Sequence, residues 1–322
     1  FAHIDFADSG AEIAIGEDVY DWKYEAVGVY QDKDSVIMSK EYKKAFSAFF
    51  YGILSKQTGK RLPWGSLIGI RPTKLAYGML EEGKSEEEIL RFYREKYFVS
   101  ETKAKLGLDI AKREKQILER ISHEPMGKDT HGYTRGYSLY IGIPFCPTTC
   151  LYCSFTSFPI AAFRKKVDAY VDCLIREMEY VSKIYGDKIL DTVYVGGGTP
   201  TTLEPDQLER LLSGLKKYFD FSGVKEFTVE AGRADSITRD KLLVLKKYGV
   251  GRISVNPQTM KQETLDIIGR KATVSQVREA YRLAREVGFD NINMDIILGL
   301  PGETKEDVQN TIDEIVALSP DS

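Results

Sequence analysis

The feature that most constrains the fold is a regular alternation of short β-rich runs and helical stripes in the second part of the chain. Runs rich in β-branched and aromatic residues predict strands at residues 138–145, 192–195, 225–230, 252–255 and 291–298. Between these runs, apolar residues recur at helical spacing, for example at Leu208, Leu211 and Leu215. Repeated strand–helix–strand units connect by right-handed crossovers, so the pattern predicts an α/β fold with a parallel sheet.

The polar motifs of this region all fall at the carboxyl ends of the predicted strands, and therefore on one face. This placement favours a full or partial (β/α) barrel over a doubly wound sheet, because barrels gather their functional loops on that face. We therefore predict that residues 138–322 form a barrel core. The chain ends at Ser322, where a sixth strand is expected, so we expect this barrel to be incomplete and truncated at its C-terminus.

Residues 1–123 are predicted to form a smaller, mostly helical α+β domain that precedes the barrel. Amphipathic patterns and a capping box predict its helices at residues 40–57, after Ser85 with Glu88, and at residues 100–121. Residues 124–137 carry three glycines and a proline without an apolar period, so they are predicted to connect the two domains.

Composition argues against two classes of partner. The formal net charge of −3 is unfavourable for a large sequence-independent nucleic-acid surface, which requires clustered Lys and Arg. No stretch approaches the roughly 20 apolar residues of a membrane-spanning helix. The chain begins at Phe1 without an initiator Met or a signal-peptide pattern, so we expect a fragment of a cytoplasmic protein whose partner is a small molecule.

Three of the four cysteines are packed between positions 146 and 153, which is typical of a metal site rather than of a disulfide framework. Cys146, Cys150 and Cys153 follow the first barrel strand, and three thiolates can hold a four-iron, four-sulfur cluster while leaving its fourth iron open. The alternative is a zinc site, although structural zinc usually has a fourth Cys or His ligand. Cys173 stands apart and is interpreted as a free thiol on a helix flank.

A glycine-rich turn follows the second strand, at Gly196, Gly197, Gly198 and Thr199. Glycines there allow the backbone to approach a ligand closely and to present N–H groups to it. The alternative interpretation is a plain tight turn.

Further polar residues lie at or beyond the ends of the later strands, namely Glu230, Gln258, Arg270 and Asp295. A charged group at such a position is costly to bury unless it is paired or meets a ligand. These residues are therefore candidates for ligand contact, and pairing with one another is the alternative.

The cysteine loop, with Tyr152 before the third cysteine, resembles the radical S-adenosylmethionine superfamily. The resemblance implies a 4Fe–4S cluster whose open iron binds the methionyl amine and carboxylate of S-adenosylmethionine, and whose reductive cleavage of that cofactor yields a 5′-deoxyadenosyl radical. It also implies that Tyr152 lies against the adenine and that residues 196–199 bind the methionyl end of the cofactor.

The residues of the individual motifs narrow this resemblance to one group within the superfamily. The segment from Tyr140 to Cys146, the Gly-Gly-Gly-Thr-Pro-Thr turn and the residues Glu230, Arg270 and Asp295 are similar to the oxygen-independent coproporphyrinogen III oxidase group. The branch called HemZ, or coproporphyrinogen dehydrogenase, is the most similar, and the upstream segment Pro63-Trp-Gly-Ser-Leu-Ile-Gly-Ile-Arg-Pro-Thr-Lys supports it.

This narrower resemblance implies oxidative decarboxylation of coproporphyrinogen III to protoporphyrinogen IX in anaerobic heme synthesis. It implies a tetrapyrrole substrate, an electron donor and an electron acceptor, and no nucleic acid. It also implies cofactor contacts for Tyr140, Glu230, Gln258, Arg270 and Asp295.

Phe155 departs from the pattern of the group, because the well-studied oxidases carry a fourth Cys at this position. The related heme chaperones also have a residue other than Cys there. A heme-binding chaperone with the same cluster is therefore an alternative function. Another radical reaction on a tetrapyrrole, such as heme ring opening, is a third.

Overall fold

The computed structural model describes residues 2–7, 10–23, 31–32, 35–36, 40–67, 71–121 and 136–322. The chain divides into two compact units, Phe1–Arg120 and Ile121–Ser322. Most of the predicted connector lies outside the described residues, as do His123 and His131. No helix among the described residues combines the length and the apolarity that crossing a membrane requires.

The first unit begins with a three-stranded antiparallel sheet in the order β1–β2–β3. Its strands are β1 (Ala2–Ala7), β2 (Gly10–Ile15) and β3 (Asp18–Lys23), and a short antiparallel pair follows, β4 (Gln31–Asp32) and β5 (Ser35–Val36). Trp22 of the sheet meets Tyr42 edge-on, with ring centroids 4.9 Å apart. Both side chains are buried in a small aromatic core.

Four helices complete the first unit, namely α1 (Lys40–Thr58), α2 (Thr73–Glu81), α3 (Glu86–Tyr97) and α4 (Glu101–Ile121). The predicted capping box is confirmed, because Ser85 Oγ accepts from Glu88 N (3.2 Å) and Glu88 Oε2 accepts from Ser85 N (2.8 Å). Helices α2, α3 and α4 share a second core in which Ile89 and Tyr93 are fully buried. The helices predicted for this part of the sequence are therefore confirmed.

The second unit is built on a five-stranded parallel sheet. Its strands are β6 (Gly136–Ile143), β9 (Ile189–Gly197), β10 (Glu226–Glu230), β11 (Arg252–Ser254) and β12 (Ile292–Asn293), with β7 (Phe145–Cys146) and β8 (Phe158–Pro159) forming a short parallel pair beside it. The sheet order is β6–β9–β10–β11–β12, so spatial neighbours follow the chain order. A doubly wound sheet reverses its order at a switch point, whereas a barrel does not, so the predicted partial barrel is confirmed.

Helices connect these strands and cover one face of the sheet. They are α5 (Ile160–Ile184), α6 (Pro205–Tyr218), α7 (Arg239–Lys247), α8 (Gln262–Ile267), α9 (Val274–Glu286) and α10 (Lys305–Leu318). Thr238 and Thr304 cap α7 and α10, since each side chain accepts a hydrogen bond from a backbone N–H in the first turn of its helix. Such caps satisfy N–H groups that a helix start leaves unpaired.

Side chains of the barrel strands alternate between two faces. Ile141 and Val193 point to the face covered by helices and belong to the main hydrophobic core of the unit. The opposite face carries polar side chains, including Tyr140, its register partner Tyr194, and Glu230. The core therefore fixes the sheet from one side and leaves the other side for polar groups.

Two predicted strands differ from the structure. The first breaks at Pro144, between β6 and β7, because proline has no N–H to donate to a strand ladder. The last, predicted at residues 291–298, contains only Ile292–Asn293 in a strand. There the side chain of Asn256 takes over one backbone position of the ladder: its Oδ1 accepts from Asp295 N (3.1 Å) and its Nδ2 donates to Asp295 Oδ2 (2.9 Å), while Gln258 N still donates to Asp295 O (3.0 Å).

Candidate functional site

The three predicted ligand cysteines share one loop after the first barrel strand. Cys146 ends β7 and is buried, whereas Cys150 and Cys153 are partly buried, and all three are free thiols. Burial raises the pKa of Cys146, hydrogen bonding to Thr199 lowers it, and the neighbouring thiols raise it further. Among the described residues, no three His, Cys, Asp or Glu side chains converge in a geometry that would hold a metal ion. The loop thus supplies three sulfur ligands, but their positions do not converge on a single metal position.

A buried arginine that the sequence analysis missed holds this loop. Arg233 Nη1 donates to Thr148 O (3.3 Å) and to Cys150 Sγ (3.5 Å), and Nη2 donates to Thr148 Oγ1 (3.1 Å). On its other side, Arg233 forms a two-point ion pair with Asp235, at 3.1 and 2.8 Å. Burial alone would lower the pKa of Arg233, but the hydrogen bond and charge of Asp235 hold it above its ordinary value. A fixed positive charge therefore lies beside a predicted ligand thiol.

Arg270 contacts the same loop from a different strand end. Its Nη2 donates to the Tyr152 hydroxyl (3.1 Å), and its Nη1 donates to the backbone oxygens of Asn256 and of Gly232. Within the described ranges, the buried Nε of Arg270 has no hydrogen-bond partner. Burial raises the pKa of Tyr152 to about 12, against the opposing charge of Arg270.

The glycine-rich turn lies directly against the cysteine loop. A Cβ at Gly198 would stand 2.6 Å from Phe145 O and 3.1 Å from Cys146 Sγ, and Gly197 has a φ of +107° that other residues rarely adopt. The expectation that this turn presents free N–H groups is wrong for two residues. Gly198 N donates to Ile143 O and Thr199 N donates to Phe145 O, each at 2.7 Å. These bonds hold the turn against the first barrel strand, so the two N–H groups are not free for a ligand. What the glycines provide is room for a ligand to approach the backbone closely.

Glu230 closes β10 and is held by a tyrosine and by the turn. The Tyr194 hydroxyl donates to Glu230 Oε1, and the N–H of Gly197 donates to the same carboxylate. Burial raises the pKa of Glu230, the Tyr194 hydrogen bond lowers it, and the charge of Asp295 raises it. Burial and Glu230 likewise raise the pKa of Tyr194. Tyr140 stacks on Tyr194 with ring centroids 5.8 Å apart and an interplanar angle of 11°.

Asp295 lies beyond β12 and is the second carboxylate of this strand edge. Its side chain accepts from Asn256 Nδ2 (2.9 Å) and from Asn293 Nδ2 (2.7 Å). The nearby Gln258 is buried with a φ of +69°, and its N–H donates to the Asp295 backbone oxygen (3.0 Å). A positive φ is uncommon for a residue other than glycine, and such residues concentrate at functional sites.

For the polar residues at the strand ends, the alternative to ligand contact is that they pair with one another. Within the described part of the chain, neither Glu230 nor Asp295 forms an ion pair with Arg270, because each has the amide, hydroxyl or backbone partners given above. The two carboxylates instead repel each other, which raises the pKa of Glu230. Mutual pairing is therefore not what holds them.

The donor set fits a cluster bound by three thiolates. Three free thiols, a cation beside Cys150 and the three glycines of the turn are brought to one edge of the sheet. The described residues of this unit supply no histidine, and Cys173 is exposed on α5, where its Sγ accepts from Arg176 (3.0 Å). A fourth zinc ligand is thus absent from the described part of this unit, and the zinc alternative is weaker.

The comparisons with known proteins agree with this geometry. A family model described as the Radical SAM superfamily matches residues 140–315, a range that contains every predicted site residue. Among solved structures, coproporphyrinogen III oxidase (HemN) from Escherichia coli, described as a radical SAM enzyme, has a TM-score of 0.53 and 28% identity. That similarity covers 64% of this chain and 45% of the HemN chain.

Curated proteins of two functions are similar to the chain. The oxygen-independent coproporphyrinogen-III oxidase-like protein HemZ of Bacillus subtilis is 37% identical over 286 residues, which cover 88% of this chain and 55% of that protein. The heme chaperone HemW of the same organism is 37% identical over 182 residues, covering 56% of this chain and 47% of that protein. The chain spans about half the length of these two relatives.

Proposed function

Because the chain belongs to the radical SAM superfamily, we propose that it is an oxidoreductase that converts coproporphyrinogen III to protoporphyrinogen IX without oxygen. The cofactors of this superfamily are a 4Fe–4S cluster and S-adenosylmethionine. The observation that carries the proposal is that the cysteine loop, the glycine turn and Glu230 meet at the carboxyl edge of one parallel sheet. Barrel enzymes place their chemistry at that edge.

Cys146, Cys150 and Cys153 would hold the cluster, and each thiol must lose its proton to do so. The guanidinium of Arg233 lies 3.5 Å from Cys150 Sγ, and its positive charge lowers the pKa of Cys146. Burial is the larger effect and raises the pKa of Cys146, so this thiol would have to give up its proton when a cluster binds. When bound, the cluster and S-adenosylmethionine would supply one-electron reductive cleavage and hydrogen-atom abstraction from carbon.

The other residues of the edge would bind and orient the cofactor. The carboxylates of Glu230 and Asp295 are acceptors for amine or hydroxyl groups, and the unpartnered Nε of Arg270 is a donor. Tyr140 is largely exposed and offers an aromatic surface that its stacking on Tyr194 fixes in orientation. Rigid side chains of this kind hold reactants in line and keep water from a reactive centre.

The proposed reaction balances for each propionate. One hydrogen atom leaves from the side-chain carbon, carbon dioxide leaves from the carboxylate, and one electron passes to an acceptor, giving a vinyl group. The electron donor and the acceptor are separate partners.

The test is an anaerobic turnover experiment with the full-length protein, reconstituted with iron and sulfide. We expect mass spectrometry to show protoporphyrinogen IX formed from coproporphyrinogen III, and the Cys150→Ala variant to form none. Formation of 5′-deoxyadenosine without any change in coproporphyrinogen III would contradict the proposed substrate.

A heme chaperone is the second candidate, and the similarity to HemW favours it. Phe155, which stands where the well-studied oxidases have a fourth Cys, is 76% exposed and close to the cysteine loop. Stoichiometric heme binding by the reconstituted full-length protein, with no coproporphyrinogen turnover, would select the chaperone.

A further inference from the structure

A cleft of about 600 Å³ lies in the first unit, and the residues of the proposed function belong to the second unit. Helices α1, α2 and α3 form its walls, together with Ser66, Leu67, Arg71 and Pro72 from the chain before α2. The volume is that of a pocket for a small organic ligand.

The cleft gathers positive charge. Of the described residues that line it, Lys43, Lys44, Arg71 and Lys74 are cationic and Glu82 is the one carboxylate. In the described part of the chain, these four cations form no ion pair or side-chain hydrogen bond. Lysines elsewhere in the same unit are paired, for example Lys105 with Glu101 and Lys112 with Glu86, both at 2.6 Å. Unpaired cations of one sign in a concave surface raise the local concentration of anions.

Apolar side chains also line the cleft, namely Leu67, Leu75, Met79, Phe92 and Tyr97, together with the hydroxyls of Ser47 and Ser66. A hydrated inorganic ion would gain nothing from the apolar side chains. A ligand with an apolar body and acidic groups would use both surfaces, because its body displaces water from the wall while its charges meet the cations.

The frame of the cleft is fixed before any ligand arrives. Ser66 N donates to Tyr97 O (2.8 Å), which ties the loop after α1 to the end of α3. The buried Tyr93 hydroxyl donates to Pro72 O (2.7 Å), which ties the start of α2 to α3. Arg71 has a φ of +68°, a left-handed conformation that few residues other than glycine adopt. Strained backbone held by surrounding contacts concentrates at ligand sites, and a preformed site avoids the entropy of ordering itself.

We propose that this cleft binds a small organic polyanion, a molecule with an aromatic or aliphatic body and at least two carboxylate or phosphate groups. The inference does not rest on the proposed function, because no lining residue belongs to the barrel unit.

The test is titration calorimetry on the full-length protein with three probes. Coproporphyrin III carries carboxylates on an aromatic body, adenosine triphosphate carries phosphates on an aromatic base, and tripolyphosphate carries charge alone. We expect one of the two organic probes to bind more tightly than tripolyphosphate, and its affinity to fall as salt is added. The organic probe that binds identifies whether carboxylates or phosphates are the natural groups.

Variants assign the binding to the cleft. Lys74→Ala is expected to weaken the bound probe about tenfold or more, since it removes a charged donor. Lys43→Ala changes an exposed residue of α1 and is a second variant on a different wall of the cleft. Lys112→Ala removes the same charge outside the cleft and should leave the affinity unchanged. Failure of both organic probes to bind, or equal binding by the wild type and both cleft variants, would overturn the inference.

Discussion

Replacing Arg233 by Met tests whether a buried ion pair holds the cysteine loop. The substitution removes the guanidinium that bonds Asp235, the Thr148 backbone and side chain, and Cys150 Sγ. The Arg233 side chain is 3% exposed and that of Asp235 is 17% exposed, so the remaining carboxylate has little access to water. Removing one partner of a buried pair costs about 3–5 kcal/mol of unfolding free energy. The residual exposure of Asp235 favours the lower end of that range.

Arg278 provides a matched control. It also forms a two-point ion pair, with Glu314 at 3.0 and 2.8 Å, but its side chain is 35% exposed and that of Glu314 is 41% exposed. Exposed pairs contribute about 0–1 kcal/mol, so Arg278→Met should change the unfolding free energy little. The two variants remove the same chemical group, but the Arg233 pair is buried and Arg233 also bonds Thr148 and Cys150 of the loop.

The unfolding free energy of both variants is measured by urea unfolding of the full-length protein, followed by circular dichroism. The ability of the cysteine loop to hold iron is measured by iron analysis after anaerobic reconstitution. We expect Arg233→Met to lose stability and iron together, and Arg233→Lys to retain part of both because a lysine keeps the charge without the two-point geometry. If Arg233→Met costs no more unfolding free energy than Arg278→Met, burial of this pair is not what stabilises the loop.

Three further predictions follow from the same edge of the sheet. Replacing any loop cysteine by Ala should abolish an iron content of about four per chain, whereas Cys173→Ala should keep it; iron analysis decides. Gly198→Ala places a Cβ 2.6 Å from Phe145 O and should cost about 1–3 kcal/mol of stability, whereas Gly251→Ala meets no atom within 4 Å; equal melting temperatures would contradict this. Because the pKa of Glu230 is raised, the folded state binds more protons than the unfolded state between the ordinary and the raised pKa, so stability falls as pH rises through that window. Glu230→Gln should flatten this fall, and weaken S-adenosylmethionine binding measured by calorimetry about tenfold or more.

The fold could be predicted because its signals are local and periodic. Apolar residues at helical spacing mark the helices, and the capping residues Ser85, Thr238 and Thr304 mark where three of them begin. The end of the last strand could not be predicted this way. There the Asn256 side chain, instead of a backbone carbonyl, accepts the hydrogen bond from Asp295 N. The period of apolar residues along a strand does not indicate such a side-chain contact.

The location of the site residues at the strand ends could also be predicted, because it follows from the direction of the strands. Parallel strands all point the same way, so residues at their carboxyl ends meet at one edge whatever the loops do. Glu230 and Asp295 were predicted on that ground, and the structure brings them within electrostatic reach of each other. Tyr194 was missed because an aromatic residue inside a strand is an ordinary strand former, and only its register beside Tyr140 gives it a different role.

Arg233 shows what limits inference from sequence at this site. In the sequence it is one arginine in a loop, three positions after the strand-end Glu230, and such a residue usually lies in solvent. Its environment is created by the loop of Cys150, which is 83 residues earlier in the chain. Helix and strand periods describe neighbours within a few residues, so they identify groups that the sheet positions and miss groups that two loops bury between them. The thiol loop therefore depends on a contact that the fold creates, and the stability and iron content of the Arg233 variants measure how much.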